Sequence, residues 1–539
     1  MLCLGLVLFF GTTACSRDAE APSSDTAAGT SPDSSTAVVS FPVDIQGVNE
    51  LTTNLTSIQT ALLYFALFMP LLEEQPDYAT GPPTFKPRLA ESFEFSEDHL
   101  QLTFKLREGM TWSDGVPVTA EDVLFTYEAQ ISPEVAWNYR DSKDRITKVE
   151  VLDPLTVRFH FDGVYATQLL DVNQGVILPK HAWEKLPFSD WRTKPRWFLD
   201  HLVVNGPFTL EDWDPGQSFA LRRNDRYFEP GLPKIDRLVF LITPDPSTQI
   251  AQLRSGQVHL AEWIRPGSAS IITEHPDLEL LSYSTRQYVF VSWNTMRPYF
   301  AEQSVRQALA MAIDRQAIID TLYFGYATLS KSPFVTNTWV HHRDIEPWPY
   351  DPEKARQMLA EAGWEDSDGD GILDKDGTPF RFEILTNSDN DIRRDILIMI
   401  QEQLKRVGVD AQPRTLEFNT LTKREMAHEY DASLASMSVD TSLNLSYLFH
   451  TKAIEDGYNW GVFSDPEVDR VLEELEKQAD FQDAKPLYYR IQELLHEHQP
   501  IAFLYEPLRL CAVNKRLKNV APNEISTFHN IRAWELAGD

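Results

Sequence analysis

Phe380–Thr386, Ile392–Val407 and Val409–Thr415 read as strand, helix and strand, with Gly408 ending the helix. This is a parallel crossover unit, right-handed by the rule that governs such connections, and it commits this part of the chain to an α/β layer. Tyr430–Asp440, YDASLASMSVD, reads as a buried strand of mostly small, uncharged residues with a carboxylate at each end, Asp431 and Asp440. Small side chains let another backbone come close, and a buried carboxylate at the strand's exit wants a cation. A peptide bound in an extended conformation offers both, through its amides and its terminal ammonium. A core strand whose two aspartates merely start turns accounts for the same residues.

At 539 residues the chain is too long for one hydrophobic core and is expected to divide into two or three lobes. Hydrophobic residues at 42% are enough to fill them. The 80 Asp and Glu against 49 Lys and Arg leave a formal net charge of −31, which repels nucleic acid and anionic head groups, and no basic run interrupts it. Nucleic acid is therefore excluded as a partner, and the excess charge otherwise serves solubility.

The opening stretch MLCLGLVLFFGTTAC is too short to span a bilayer, which takes about 20 apolar residues, and it ends as a secretory signal does. TTAC resembles a lipoprotein cleavage box in which Cys15 becomes the lipidated first residue. It departs from that pattern in having Thr12 where a larger apolar residue is usual and no Lys or Arg before the apolar run. Residues 16–39, rich in Ser, Thr, Ala, Asp and Pro, read as a disordered tether. Of the three cysteines, Cys3 and Cys15 lie in this leader, so the mature domain, with Cys511 alone, contains no internal disulfide. Ala61–Leu72 is a second short apolar run, interrupted by Pro70, and reads as a buried core helix.

Beyond Pro87, Leu100–Leu106 alternates as a half-buried strand, Trp112–Gly115 turns, and Thr119 caps a helix with Asp122 in capping-box position. Asp351 with Pro352, and Asp465 with Pro466, are helix starts, and Gly363 closes the first of those helices.

The segment LAESFEFSEDHLQLTFKLREGMTWSDGVPVTAEDVLFTYEAQ resembles the signature region of the extracytoplasmic solute-binding proteins of peptide-type (dipeptide/nickel, family 5) ABC importers. Asn205–Phe228, Ser304–Ala327 (a long helix in that family), Tyr350–Trp364, Phe463–Leu475 and Phe528–Leu536 follow in family order. The resemblance implies an α/β, periplasmic-binding-protein-like type II fold. Lobe I is then discontinuous (40–84, 203–294 and 510–539), 85–202 is an inserted lobe, and 295–509 is lobe II. Two crossings, near Asn294 and Arg509, would form the hinge about which the lobes close on a ligand.

By the same resemblance Asp440 holds the ligand's ammonium, with Met437 standing where relatives often carry Trp. Ser436 and Ser438 are candidates for strand-like contacts to a peptide, and Asn459 and Trp460 for the cleft wall, although core packing explains Trp460 equally. Asp366–Gly377 places Asp366, Asp368, Asp370 and Asp374 at the first, third, fifth and ninth positions of a calcium loop, but with Gly377 where an EF-hand supplies Glu. The loop is a candidate for a structural Ca2+, or simply a pair of Asp–Gly turns; no other cofactor is implied.

The sequence has no GxSxG elbow, HExxH or phosphate-binding GxxxxGK[ST]. His341–His342 and His496–His498 read as loop and helix-end residues. The expectation is thus a non-enzymatic, monomeric binding protein, lipid-anchored outside the cytoplasm, that passes short peptides to an ABC permease and its ATPase. An oligosaccharide, opine or metal-chelate cargo on the same fold, a secreted carboxylate-dependent hydrolase, and a purely sensory receptor are the alternatives.

Overall fold

The computed structural model describes residues 36–52 and 62–537. Cys15 and most of the expected tether lie outside them. The last residues of that tether do not: Thr36–Phe41 forms strand β1, with Ala37 and Val39 fully buried. TAVVSF has the β-branched, alternating character that a sheet rewards, and β1 runs parallel to β10 (Arg237–Ile242). Thr36–Val39, inside the segment read as tether, thus belongs to the folded body.

Of the apolar run Ala61–Leu72, Ala61 lies outside the described residues; Leu62 is helical and leads into one wide turn, Leu63–Leu67, closed by Phe68 N–H donating to Leu63 O at 2.8 Å. From Phe68 the chain is extended yet buried, because Pro70 cannot continue a helix and Asn205 Oδ1 accepts from Met69 N–H at 2.9 Å. It then forms β2 (Leu72–Glu74), paired with β3 (Phe85–Pro87).

A four-stranded antiparallel sheet follows, made of β4 (Ala90–Phe95), β5 (Gln101–Leu106), β6 (Ile146–Asp153) and β7 (Thr156–Phe161) in the order β4-β5-β7-β6. The helix Ala120–Ile131 packs beside it, started by the expected Thr119–Asp122 capping box. Two antiparallel strands, β8 (Phe208–Asp214) and β9 (Ser218–Arg223), then join β10. All of these share one hydrophobic core with β1, with Leu260 of β11 (Leu260–Ala261), and with the C-terminal residues Phe528, Ile531 and Trp534.

β12 (Leu278–Ser284) and β13 (Gln287–Trp293) are separated by only Thr285 and Arg286. β13 packs away from the first core: Val289, Val291 and Trp293 enter a second core on one face, and Tyr288 and Phe290 a third on the other. The sheet strands therefore leave the first core for the second and third at Thr285–Arg286, ahead of the crossing expected near Asn294. The sequence LELLSYSTRQYVFVSW is apolar throughout and carries no mark of where it changes core.

The expected long helix after this crossing is broken. Gln303–Ala312 ends at Ile313, which is extended (φ −95°, ψ 115°) and fully buried, and Asp314 caps a new helical turn through Ala317 N–H at 2.9 Å. β14 (Ala327–Leu329) follows. After the helix Pro352–Glu361, a small ladder of β15 (Asp374–Lys375) and β16 (Thr378–Pro379) closes the acidic loop. β17 (Arg381–Asn387), the helix Asp391–Lys405 and β18 (Asp410–Leu416) form the parallel crossover, with Gly408 at φ +81° after the helix. β19 (Ala432–Ser438) is the expected strand of small residues, antiparallel to β13.

The long strand β20 (Ile501–Asn514) joins β1, β8–β14 and β17–β19 into one twelve-stranded sheet, apart from the four-stranded sheet and the short ladders. Its first half pairs with β13 and β14, its second half with β11 and β12.

The wide turn at Leu63–Leu67 demands a bare backbone opposite it. A Cβ on Gly206 would lie 2.6 Å from both Ala66 O and Leu67 C. Gly206→Ala should therefore lower the unfolding free energy by about 1–3 kcal/mol, read as a shifted urea midpoint at unchanged slope. A midpoint equal to that of the parent protein would contradict this packing.

Candidate functional site

A cavity of about 1770 Å³ separates residues of the first core from those of the third and of a small cluster that includes Leu421. The wall on the second side is built around the end of β19. β19 is paired along its whole length with β13, but with β17 only at Ala432 and Ser433. From Leu434 onward it has, among the described residues, a strand partner on one side alone. Thr386 Oγ1 covers the Leu434 carbonyl at 3.0 Å, and Ser436 and Met437 lie on the cavity wall. The free edge of a buried sheet thus faces open space.

Asp440 follows at the strand's exit and lines the cavity. Its surface is open to that space, yet the surrounding protein desolvates it enough to raise its carboxyl pKa, against the lowering effects of Ser442 and Arg286. Ser442 donates to Asp440 Oδ1 from its backbone (3.0 Å) and its hydroxyl (2.5 Å), so Asp440 also starts a turn. The turn reading holds for this residue, which also stands on the cavity wall. Asp431, at the other end, is occupied otherwise: Arg297 pairs with it at 2.9 Å and Glu383 N–H donates to it at 3.1 Å.

Trp460 likewise does both things expected of it, packing against the small core of Leu385, Leu421 and Tyr430 while facing the cavity. Asn459 does not belong to the wall. It is 3% exposed, its amide donates to His450 O and Phe463 O, and its oxygen accepts from Phe463 N–H, so it ties the loop before the Pro466–Glu476 helix. Ser438 is exposed at the end of β19 but outside the wall, because Val439 turns inward with its N–H on Arg286 O at 2.9 Å.

The acidic loop brings Asp366, Asp368 and Asp370 together, with oxygens within 4.8 Å of one another, all exposed. Asp374 does not join them. It sits in β15, and its Oδ2 accepts from Ser367 N–H at 3.0 Å and Ser367 Oγ at 2.7 Å. Each of the other three also accepts backbone N–H bonds within the loop, as Asp–Gly turns do. This loop is not part of the cavity wall.

Sequence reasoning missed a buried cation of the site. Arg393, in the first turn of the Asp391–Lys405 helix, lines the cavity and donates to Asn387 Oδ1 at 2.7 Å and Ser436 Oγ at 2.5 Å. Both acceptors are neutral, and no carboxylate among the described residues pairs with it. Burial lowers its pKa but leaves it a cation. The signal was there: arginines in a helix's first turn oppose its dipole, which costs stability unless the charge has a use. Large apolar side chains were missed too. Tyr139, Phe418, Met426 and Tyr458 line the cavity and are each about half exposed, which is unusual for such residues unless something covers them.

Glu425, on the same wall and 3% exposed, accepts from Ser433 Oγ. Burial pushes its carboxyl up to about 7 from 4.5. The fold thus prefers its neutral form, and stability should fall as pH rises from about 4.5 to about 7, where the folded chain holds a proton the unfolded chain has released. Glu425→Gln removes that penalty. Its unfolding free energy should exceed the parent's by up to about 3 kcal/mol at about pH 8 and match it at about pH 4. Parallel urea curves for the two proteins at both values would refute this.

A family model described as bacterial extracellular solute-binding proteins, family 5, middle region, matches residues 84–457. The oligopeptide-binding protein AppA of Bacillus subtilis is 30% identical over 462 residues, 83% of this chain and 83% of that protein. Heme-binding protein A of Haemophilus influenzae is 28% identical over 444 residues, 79% of each. The structure of B. subtilis AppA in complex with a nonapeptide is similar with a TM-score of 0.79 at 28% identity, covering 93% of this chain and 99% of that one. NikZ from Campylobacter jejuni, solved with Ni(L-His), shares the fold at TM-score 0.79 and 24% identity, over 93% of this chain and 100% of that one.

Proposed function

This chain belongs to the family 5 bacterial extracellular solute-binding proteins of the peptide/nickel type, and from that premise we propose that it captures short peptides in an extended conformation for an ABC permease. The observation that carries this reading is the unpaired edge of β19 beyond Leu434, with Ser436 and Met437 on the wall and Asp440 at its end. An extended peptide adds to such an edge through its amides, and side-chain pockets then supply preference. Asp440 takes the peptide's ammonium, and Arg393 an anionic group of the cargo. The cavity, at about 1770 Å³, exceeds the roughly 300–1,000 Å³ of pockets for drug-sized ligands and has room for a peptide of several residues. The oligopeptide-binding name of AppA supports the same cargo class.

Residues 36–52, 62–84, 203–284 and 508–537 act as one lobe, 85–202 as its insertion and 287–507 as the other, closing about Thr285–Arg286 and the middle of β20. Closure traps the peptide chemically unaltered, and the permease with its ATPase recognises the closed form. Cys15 carries the lipid that holds the monomer at the outer side of the membrane.

Native mass spectrometry of protein purified from its own host should show retained peptides, which are then synthesised and titrated. Replacement of Asp440 by Ala should weaken binding by about 2–5 kcal/mol, roughly 30- to 4,000-fold. Unchanged affinity would remove Asp440 from the site.

A further inference from the structure

The β2–β3 hairpin is rooted in the first core, where Leu72 is fully buried, but its loop carries Tyr78 into the third. There the ring is 1% exposed and packs with Tyr288, Phe290 and Trp339. Trp339 N–H donates to Tyr78 O at 2.9 Å, and the Arg286 guanidinium lies 4.5 Å from the ring centroid. The Tyr78 hydroxyl reaches the carbonyls of Asp440 (3.4 Å) and Thr441 (3.5 Å).

Glu74, at the base of the same hairpin, accepts from Thr441 Oγ1 at 2.9 Å and from Arg286 at 2.5 Å. Arg286 also donates to Thr441 Oγ1, and its own carbonyl accepts from Val439 N–H. The residue before Asp440, its own carbonyl and the residue after it are therefore all fixed from outside β19. Two of the three groups doing this, Tyr78 and Glu74, belong to a hairpin of the first core, and the third, Arg286, is the crossing itself.

We infer that Tyr78 and Arg286 are positioning residues for the Asp440 carboxylate, so that the anchor for a cargo ammonium is completed by a hairpin rooted in the first core and by the segment that joins β12 to β13. Neither residue lines the cavity, so neither touches cargo. A charge-assisted hydrogen bond depends on the geometry of its acceptor, and that geometry is set by the groups that hold the backbone around it. The inference rests on the proposed reading of Asp440 as the ammonium partner.

The test uses a library of synthetic hexapeptides with randomised side chains, prepared with free and with acetylated N-termini, and read by native mass spectrometry on the full chain. Tyr78→Phe removes the hydroxyl and keeps the ring; Arg286→Lys keeps the charge and removes the two-pronged bridge. The parent protein should prefer free amines. Each variant should bind acetylated peptides as the parent does while losing about fivefold or more of that preference. Full preference in both variants overturns the inference and leaves Asp440's role intact. Equal weakening toward free and acetylated peptides also overturns it, since that is what general damage to the cleft would do. A parent protein that does not discriminate removes the ammonium reading itself, and the inference with it. The two variants change different atoms, so if one fails to fold the other still decides.

Discussion

β20 is one unbroken strand whose backbone groups must all find partners, and it finds them in two places. Its N–H and C=O groups bond to β13 and β14 as far as Pro507 and to β12 and β11 from Leu508 onward. Because successive side chains alternate, the strand supplies four hydrophobic clusters at once: Phe503 and Leu504 on opposite faces of the first half, Leu510 and Cys511 on opposite faces of the second. Everything on either side of the cavity is hung from this strand. A second connection, the two residues between β12 and β13, runs beside it. The two crossings keep the cores attached while leaving the space between them to be lined by side chains from both.

The chemistry of that space follows from where the sheet stops pairing. β17 and β19 diverge after two residue pairs, and the unpaired backbone this creates would be a hazard on an exposed surface. Here it is enclosed, and the groups around it are a carboxylate at the strand's end, a guanidinium with only neutral partners, and aromatic faces left half exposed. The opposite wall adds a buried group of its own. Glu50 is pushed up to about 7 by burial, and the Lys143 ammonium beside it is held down by the same desolvation.

Much of the architecture was legible from residues alone because it is local. The parallel crossover at 380–416 is written in two β-rich runs around an amphipathic helix with a glycine after it. The starts at Thr119, Asp351 and Asp465 are written in capping side chains that the structure uses as expected. Errors came where a distant segment overrode the local pattern. Thr36–Phe41 has little to bury by itself and becomes a strand because β10 and β11 flank it. Ser304–Ala327 has helical periodicity throughout, yet Ile313 is pulled straight while Gln403 Oε1 accepts from Asp314 N–H at 3.0 Å. Asn459 looked like a cleft residue because it neighbours Trp460, but its amide is spent on two carbonyls that only the fold brings near.

The sequence determined the parallel crossover at 380–416, the small-residue strand and the presence of a carboxylate at each of its ends. The local residues by themselves could not say which carboxylate lines the cavity. Asp431 and Asp440 sit in equivalent local settings, and the difference between them is made by Arg297 and Glu383 on one side and by Tyr78, Glu74 and Arg286 on the other. Those partners are between 48 and 366 positions away along the chain. Burial and charge pairing depend on distance in space, which only the tertiary structure fixes.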